Sequence, residues 1–141
     1  GDDVIILGSS LSDETALDAL VADHEAVSLS EYKQTRYNMI DYKTVTLIAP
    51  GFAFDSKQFS LSANAQFNWN TLKDNENDFT WPVEISTIDS DIYNLAQADL
   101  VDFWTAARDE VKTHLDSGRS IKKDIFDATT KAAVDAIVDN R

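Results

Sequence analysis

Two histidines, twenty-five carboxylates and no cysteine bound the chemistry open to this chain of 141 residues. The missing thiols exclude cysteine nucleophiles, thiolate zinc sites and disulfide frameworks. His24 and His114 lie on different predicted helices without a partner at ligand spacing, so each reads as a surface or helix-end residue. The run Asp74-Asn75-Glu76-Asn77-Asp78 follows the opening of a calcium loop, with side-chain oxygens at the first, third and fifth positions. Its sixth position is Phe79 instead of Gly and its twelfth is Ile85 instead of Glu, so a solvated loop is the better reading. Asp99 and Asp102 form a carboxylate pair, but at a predicted helix start the helix dipole accounts for them without acid–base chemistry. Gly1, Gly8, Gly51 and Gly118 stand too far apart for a phosphate-cradling loop, and no serine sits in a nucleophile elbow. The reading is of a non-enzymatic chain with no catalytic, cofactor-binding or metal-binding residue.

Residues suited to contact are easier to find. Trp69, Trp81 and Trp104 would make a ligand platform if they converged. Two of them lie on predicted helical stripes and the third precedes Pro82 at a strand entrance, which favours core packing. Tyr32, Lys33, Arg36 and Tyr37 form one amphipathic surface, either a seat for a partner or a solvated face. Val4, Ile5, Ile6 and Leu7 form a strand too short to stand alone, and are expected to pair with a sheet edge, preferably that of a neighbouring subunit. These eight residues are the candidate docking set.

Charge narrows the partners. The net charge of −13 repels phosphate backbones and anionic membrane surfaces, so neither nucleic acid nor membrane is expected as a partner. Residues 1 to 32 carry Asp2, Asp3, Asp13, Glu14, Asp18, Asp23, Glu25 and Glu31 with no Lys or Arg. Such a segment reads as a solvated acidic arm, or as one that docks on a basic partner. The start has neither the basic nor the apolar region of a signal peptide, and Gly1 reads as a processed or trimmed terminus. No apolar run approaches the roughly 20 residues of a membrane span.

The elements that must hold these residues alternate between helix and hairpin. Ser12 is expected to cap a short helix, and Ser28 with Glu31 a longer one reaching about Ala49, with Thr44-Val45-Thr46 as a strand-like weak point. Pro50-Gly51 punctuates the chain. Phe52-Ala53-Phe54, Asp55-Ser56-Lys57 and the alternating Phe59 and Leu61 predict a hairpin, and Ser62 caps a helix carrying Ala65, Trp69 and Leu72. Val83, Ile85 and Thr87 lead through Asp89-Ser90-Asp91 to a second hairpin strand at Ile92. Asn94 and Gln97 are expected to cap a helix carrying Leu100, Trp104, Ala107, Val111 and Leu115, which Gly118 ends. Ser120 and Thr130 start two more helices. The fold class is α+β: a small antiparallel sheet of two hairpins packed against several helices. Two units are expected, an acidic arm at 1–28 with a short strand and helix, and a domain at 29–141. Phe52, Phe54, Phe59, Leu61, Trp69, Trp104 and the Ile121/Ile125 face are expected to share one core.

One further pattern runs through these elements. Lys33 to Arg36, Ile40-Asp41, Lys43-Thr44 and Leu47-Ile48-Ala49 lead into Gly51-Phe52-Ala53-Phe54-Asp55. Lys57, Phe59-Ser60-Leu61-Ser62, Ala65-Gln66 and Trp69-Asn70 follow, then Trp81-Pro82-Val83-Glu84-Ile85-Ser86-Thr87. Ser117-Gly118-Arg119, Ile121-Lys122 and Val134-Asp135-Ala136-Ile137 complete it. Over residues 29 to 138 this order resembles a domain of unknown function common in tailed-phage genomes, encoded near tail-fibre genes or fused to fibre-assembly proteins. The resemblance implies a protein that works by contacts, as a structural or accessory part of the tail at the fibre or baseplate. It implies other tail proteins as partners, the fibre among them, in a homo- or hetero-oligomer, and a location in the virion or, during assembly, the host cytoplasm. A fibre-assembly chaperone or fibre-tip cap is the alternative, and a glycan hydrolase a remote one. The family carries no established catalytic residues to transfer.

Overall fold

Gly51 ends the first helix because no side chain fits there. Its φ is +85°, and a Cβ at that position would lie 1.9 Å from the Phe59 carbonyl oxygen. The computed structural model describes residues 11–141, with the backbone alone for residues 11–15 and 23–27. The first helix, α1 (Leu11–Ile48), reaches Gly51 and the chain then doubles back as β1 (Phe52–Phe54) and β2 (Lys57–Phe59). The pairing is antiparallel, Phe52 opposite Phe59 and Phe54 opposite Lys57. The turn residues Asp55 and Ser56 both have positive φ, 49° and 59°, as a tight two-residue hairpin turn demands. Ser62 caps α2 (Ala63–Asp74), its hydroxyl accepting from the Ala65 amide at 3.1 Å. A second hairpin, β3 (Val83–Ser86) with β4 (Ile92–Leu95), sets Val83 opposite Leu95. Then come the long helix α3 (Leu100–Asp127) and the short α4 (Lys131–Asp135), which Thr130 caps through the Ala133 amide.

This is an α+β fold, and the two hairpins remain two separate two-stranded sheets. They are tied by the Ile88 amide, which donates to the Gln58 carbonyl at 2.9 Å, and by Tyr93, whose hydroxyl donates to Asp55 at 2.9 Å. Among the described residues no helix is long and apolar enough to cross a membrane.

The boundaries expected at Ser28, Thr44–Thr46, Asn94, Gly118 and Ser120 are not realised. The helix predicted to restart at Ser28 is continuous from Leu11, because the Ser28 hydroxyl accepts from Lys131 Nζ at 2.7 Å instead of capping. The strand-like Thr44-Val45-Thr46 stays helical, its threonine hydroxyls donating back to the carbonyls of Ile40 and Lys43 at 2.9 and 2.7 Å. Asn94 does not cap α3, since burial of Leu95 keeps that segment in β4. Nor does Gly118 end α3. The helix runs through it, and Ser120 starts nothing new. A Cβ at Gly118 would sit 2.9 Å from Thr44 Oγ1 and 2.9 Å from an Arg141 guanidinium nitrogen, so this glycine marks the place where α1 crosses α3. The expected strand at Val4–Leu7 lies outside the described residues.

The hydrophobic interior is likewise two clusters, not the single core expected from the apolar pattern. One joins Phe52, Phe59, Leu61, Trp69, Leu72, Ile85, Leu95, Leu100 and Phe103. The other joins Ile40, Ile125 and Val134, with Tyr32, Tyr37, Ile121 and Ile137 packed around them. Ile121 and Ile125 therefore belong to the second cluster, because Gly118 and the crossing of α1 separate them from the hairpins. Phe103, and not Trp104, is the centre of the first. It is fully buried, with ring centroids 5.0 Å from Phe52, 5.4 Å from Phe54, 5.1 Å from Phe59 and 5.0 Å from Trp69, all in edge-on geometries.

Two outcomes follow from this packing. Phe103→Ala should cost roughly 3–5 kcal/mol in a urea titration, and clearly more than the same truncation at half-buried Trp104; equal costs would place the centre elsewhere. Gly118→Ala should destabilise even though alanine gains about 1 kcal/mol in helix propensity. Its penalty should shrink in an Arg141→Ala background, and strict additivity of the two changes would mean that they do not share a space.

Candidate functional site

The second half of α1 carries a row of cations, and the structure turns that row inward on the chain's own last turns. Lys33 Nζ donates to the Phe126 carbonyl at 2.7 Å, at the end of α3 where the helix dipole is negative. Arg36 donates to the Ile137 carbonyl at 2.6 Å and pairs with Asp135 at 3.6 Å. Lys43 donates to the Asp139 carbonyl at 2.9 Å. The Tyr32 hydroxyl donates to Asp135, and this bond holds its proton above the ordinary range of a phenol. Tyr37 packs beside Ile40, Ile125 and Val134. Tyr32, Lys33, Arg36 and Tyr37 thus meet the end of α3, α4 and the residues after it within the same chain. Val4, Ile5, Ile6 and Leu7, the rest of the candidate docking set, lie outside the described residues.

Arg141 completes this attachment. Its guanidinium enters the crossing of α1 and α3, donating to Thr44 Oγ1 at 2.9 Å, to the His114 carbonyl at 3.1 Å and to the Ile40 carbonyl at 3.2 Å. Asp139 supplies the counter-charge through contacts of 2.7 and 2.9 Å. Both side chains are 12% exposed. The hydrogen bonds from Arg141 outweigh desolvation and hold the Asp139 carboxyl down to about 2.

The candidate chemical groups are scattered. His114 is 3.0 Å from Glu110 on the same helix. Asp99 stands at the N-cap of α3 and Asp102 in its first turn. Along Asp74–Asp78, the Asn75 side chain donates to the Thr71 carbonyl and the Glu76 carbonyl accepts from the Trp81 indole. Among the described residues no three of His, Cys, Asp and Glu converge as metal ligands.

The tryptophans do not form one platform either. Trp69 is buried and its indole donates to the Ser60 carbonyl at 2.9 Å. Trp104 lies half-buried in a groove of about 380 Å³ between α2 and α3, floored by Leu61, Trp69, Ala107, Val111 and Leu115. Its indole donates to Asn70 at 2.9 Å. Cations ring it: the Arg108 guanidinium is 4.8 Å from the Trp104 ring and Lys73 Nζ is 5.8 Å away. Further along, Asp116 bonds both Lys112 and Arg119, and the Lys112 bond first holds its carboxyl below the ordinary range. The sequence reading weighed Trp104 for itself and passed over this rim. Its signal was the spacing of Trp104, Arg108 and Lys112 at successive fourth positions, which stacks them on one helical face.

Comparison with protein-family models, with curated proteins and with solved structures finds no match.

The Asp139–Arg141 contact has a defined pH signature. Asp139 is lowered in the fold from a usual value near 4, so its stabilisation is fully present above about pH 4 and is lost as pH falls through about 2. Urea midpoints of the native chain should fall across that window. Asp139→Asn should have a lower midpoint at neutral pH and a flatter dependence between about pH 4 and 2; a dependence as steep as the native one would assign the acid sensitivity to other carboxylates.

Proposed function

We propose that this chain is a non-enzymatic structural or accessory component of a phage tail, at the fibre or baseplate, and that it acts by protein–protein contacts. The phage assignment rests on the ordered motifs between residues 29 and 138. The contact role rests chiefly on one observation: Ala16 to Ala22 of α1 are all exposed, and only Asp18 among those seven residues is polar. Leu17, Leu20 and Val21 are 60%, 65% and 49% exposed. A helix that presents leucines to water on a chain of this size is built to be covered. With 25 acids against 12 cations, of which Lys33, Arg36, Lys43 and Arg141 bond within the fold, much of the exterior is acidic and suited to a partner of the opposite charge.

Mass spectrometry of purified virions, made by the genome that encodes the chain, provides the test. The chain should be present in a fixed ratio to a fibre or baseplate protein. Presence in lysates bound to a fibre protein but absence from finished virions would assign it to fibre assembly instead. Absence of any complex with tail proteins in either fraction would overturn the reading.

A further inference from the structure

From the exposed half of α1 and the groove between α2 and α3, we infer that this chain associates head to tail with copies of itself. The α1 segment around Leu17, Leu20 and Val21 of one copy seats in the Trp104 groove of the next. The inference rests on the reading of the protein as one that works by contacts, and it names the partner surface.

The two surfaces match in shape. Leu17, Leu20 and Val21 recur at i, i+3 and i+4, so they project as one cluster from a single helical turn. The groove has an apolar floor and a volume of about 380 Å³, enough for a few aliphatic side chains offered together. It is open along α3, as a docked helix requires.

They also match in charge. Residues 1 to 32 hold eight acids and no Lys or Arg. Arg108, Lys112 and Arg119 line the groove together with Asp116, which bonds the last two. Arg108 pairs with Asp109, and Lys73 lies over the Trp104 ring. The lining itself thus holds three cations against one carboxylate, in a chain with only 12 basic residues. An acidic partner is therefore favoured there, and the chain itself supplies one.

Geometry puts the contact between molecules. The helix α1 is continuous from Leu11 to Ile48, and its second half is fixed on α3 and α4. Residues Ala16 to Ala22 are exposed and so do not occupy their own groove. Bending them back would interrupt the continuous helix between Ala22 and Ser28. Extended pairing of α1 with α1 is disfavoured by composition, because stepping from Leu17 by sevens reaches His24, Glu31 and Asn38, and such a seam would bury polar side chains.

The test uses the full chain in analytical ultracentrifugation. The native protein should form concentration-dependent oligomers whose dissociation constant rises about tenfold or more between low and high salt. An arm variant, Leu17→Asp with Leu20→Asp, and a groove variant, Arg108→Glu with Lys112→Glu, should each be monomeric and still unfold cooperatively, the groove variant at a slightly lower temperature because it loses the Arg108–Trp104 and Lys112–Asp116 contacts. Mixed together they should form a one-to-one dimer, because the first keeps a working groove and the second a working arm. A monomeric native chain at all concentrations, self-association of the groove variant, or failure of the mixture to dimerise would each overturn the head-to-tail contact. Incorporation into virions by a monomeric native chain would leave the contact role standing while removing self-association, so the two readings fail separately.

Discussion

The approach of α1 to α3 at Gly118 is the constraint on which the rest of the structure depends. The two helices cross with Thr44 and Ile40 within 4 Å of where a side chain would begin, and Arg141 fills the remaining space. On one side of the crossing, the first half of α3 supplies Leu100, Phe103 and Ala107 to the hairpin cluster. On the other side, Ile121 and Ile125 build the second cluster with Ile40 and Val134. One helix thus serves both interiors, and neither cluster is large. Stability of the whole depends on keeping α3 straight and close to α1. A glycine inside a helix costs about 1 kcal/mol, and here that cost is offset by close packing and a buried network of hydrogen bonds.

Electrostatics makes the same point from the charge side. A chain at −13 repels itself, and four of its twelve cations sit where they hold elements together. Arg141 donates to the Ile40 and His114 carbonyls inside α1 and α3 at their crossing, whereas Lys33, Arg36 and Lys43 donate to backbone carbonyls near a helix end or in the residues that follow one. Carbonyls there have no partner within the helix, so a cation meets both a hydrogen-bond need and the negative end of the dipole. The carboxylates of Asp135 and Asp139 then fix the direction of each cation. Most of these pairs are separated by about a hundred residues in sequence, so they stabilise the attachment of α4 and the following segment to α1, not any local element.

Local patterns in the sequence determined much of the fold. Pro50-Gly51, the paired phenylalanines around Asp55-Ser56, the caps at Ser62 and Thr130, and the alternation at Val83 to Thr87 each act over a few residues, and each appears where it was read. What misled was also local. Ser28, Thr44, Asn94 and Gly118 are typical boundary or breaker residues, and each is recruited by a partner outside its own segment: Lys131, Arg141, Glu84 across the β3–β4 ladder and the crossing helix. Phe103 stands at i+3 from Leu100 and four residues before Ala107, on the same apolar stripe as Trp104, and periodicity alone does not rank which of two adjacent aromatics lies deeper. The candidate set around Tyr32 and Arg36 was legible as a cluster, but composition alone does not tell whether such a cluster faces a partner or the chain's own end. The groove cations at Arg108 and Lys112 carried a readable spacing. The ion pair at Asp139 and Arg141 carried none, because nothing local requires it.

Continuity of α1 changes what its first half can do. As a strand joined by a flexible link, an acidic arm would search its own surface first, at a high effective concentration. As the front of a 38-residue helix, about 57 Å long, it is held at a direction set by Tyr32, Arg36, Ile40 and Thr44. Contacts in the second half thus decide where Leu17 and Leu20 point. Rigidity removes the intramolecular alternative and lowers the ordering cost of meeting a neighbour. It would also make the proposed contact directional, since a helix leaving one molecule and entering a groove on another relates copies head to tail, and such a relation does not close on itself at two. The same crossing at Gly118 that joins the two interiors therefore also aims the exposed helix, and a change there should be felt in assembly as well as in stability.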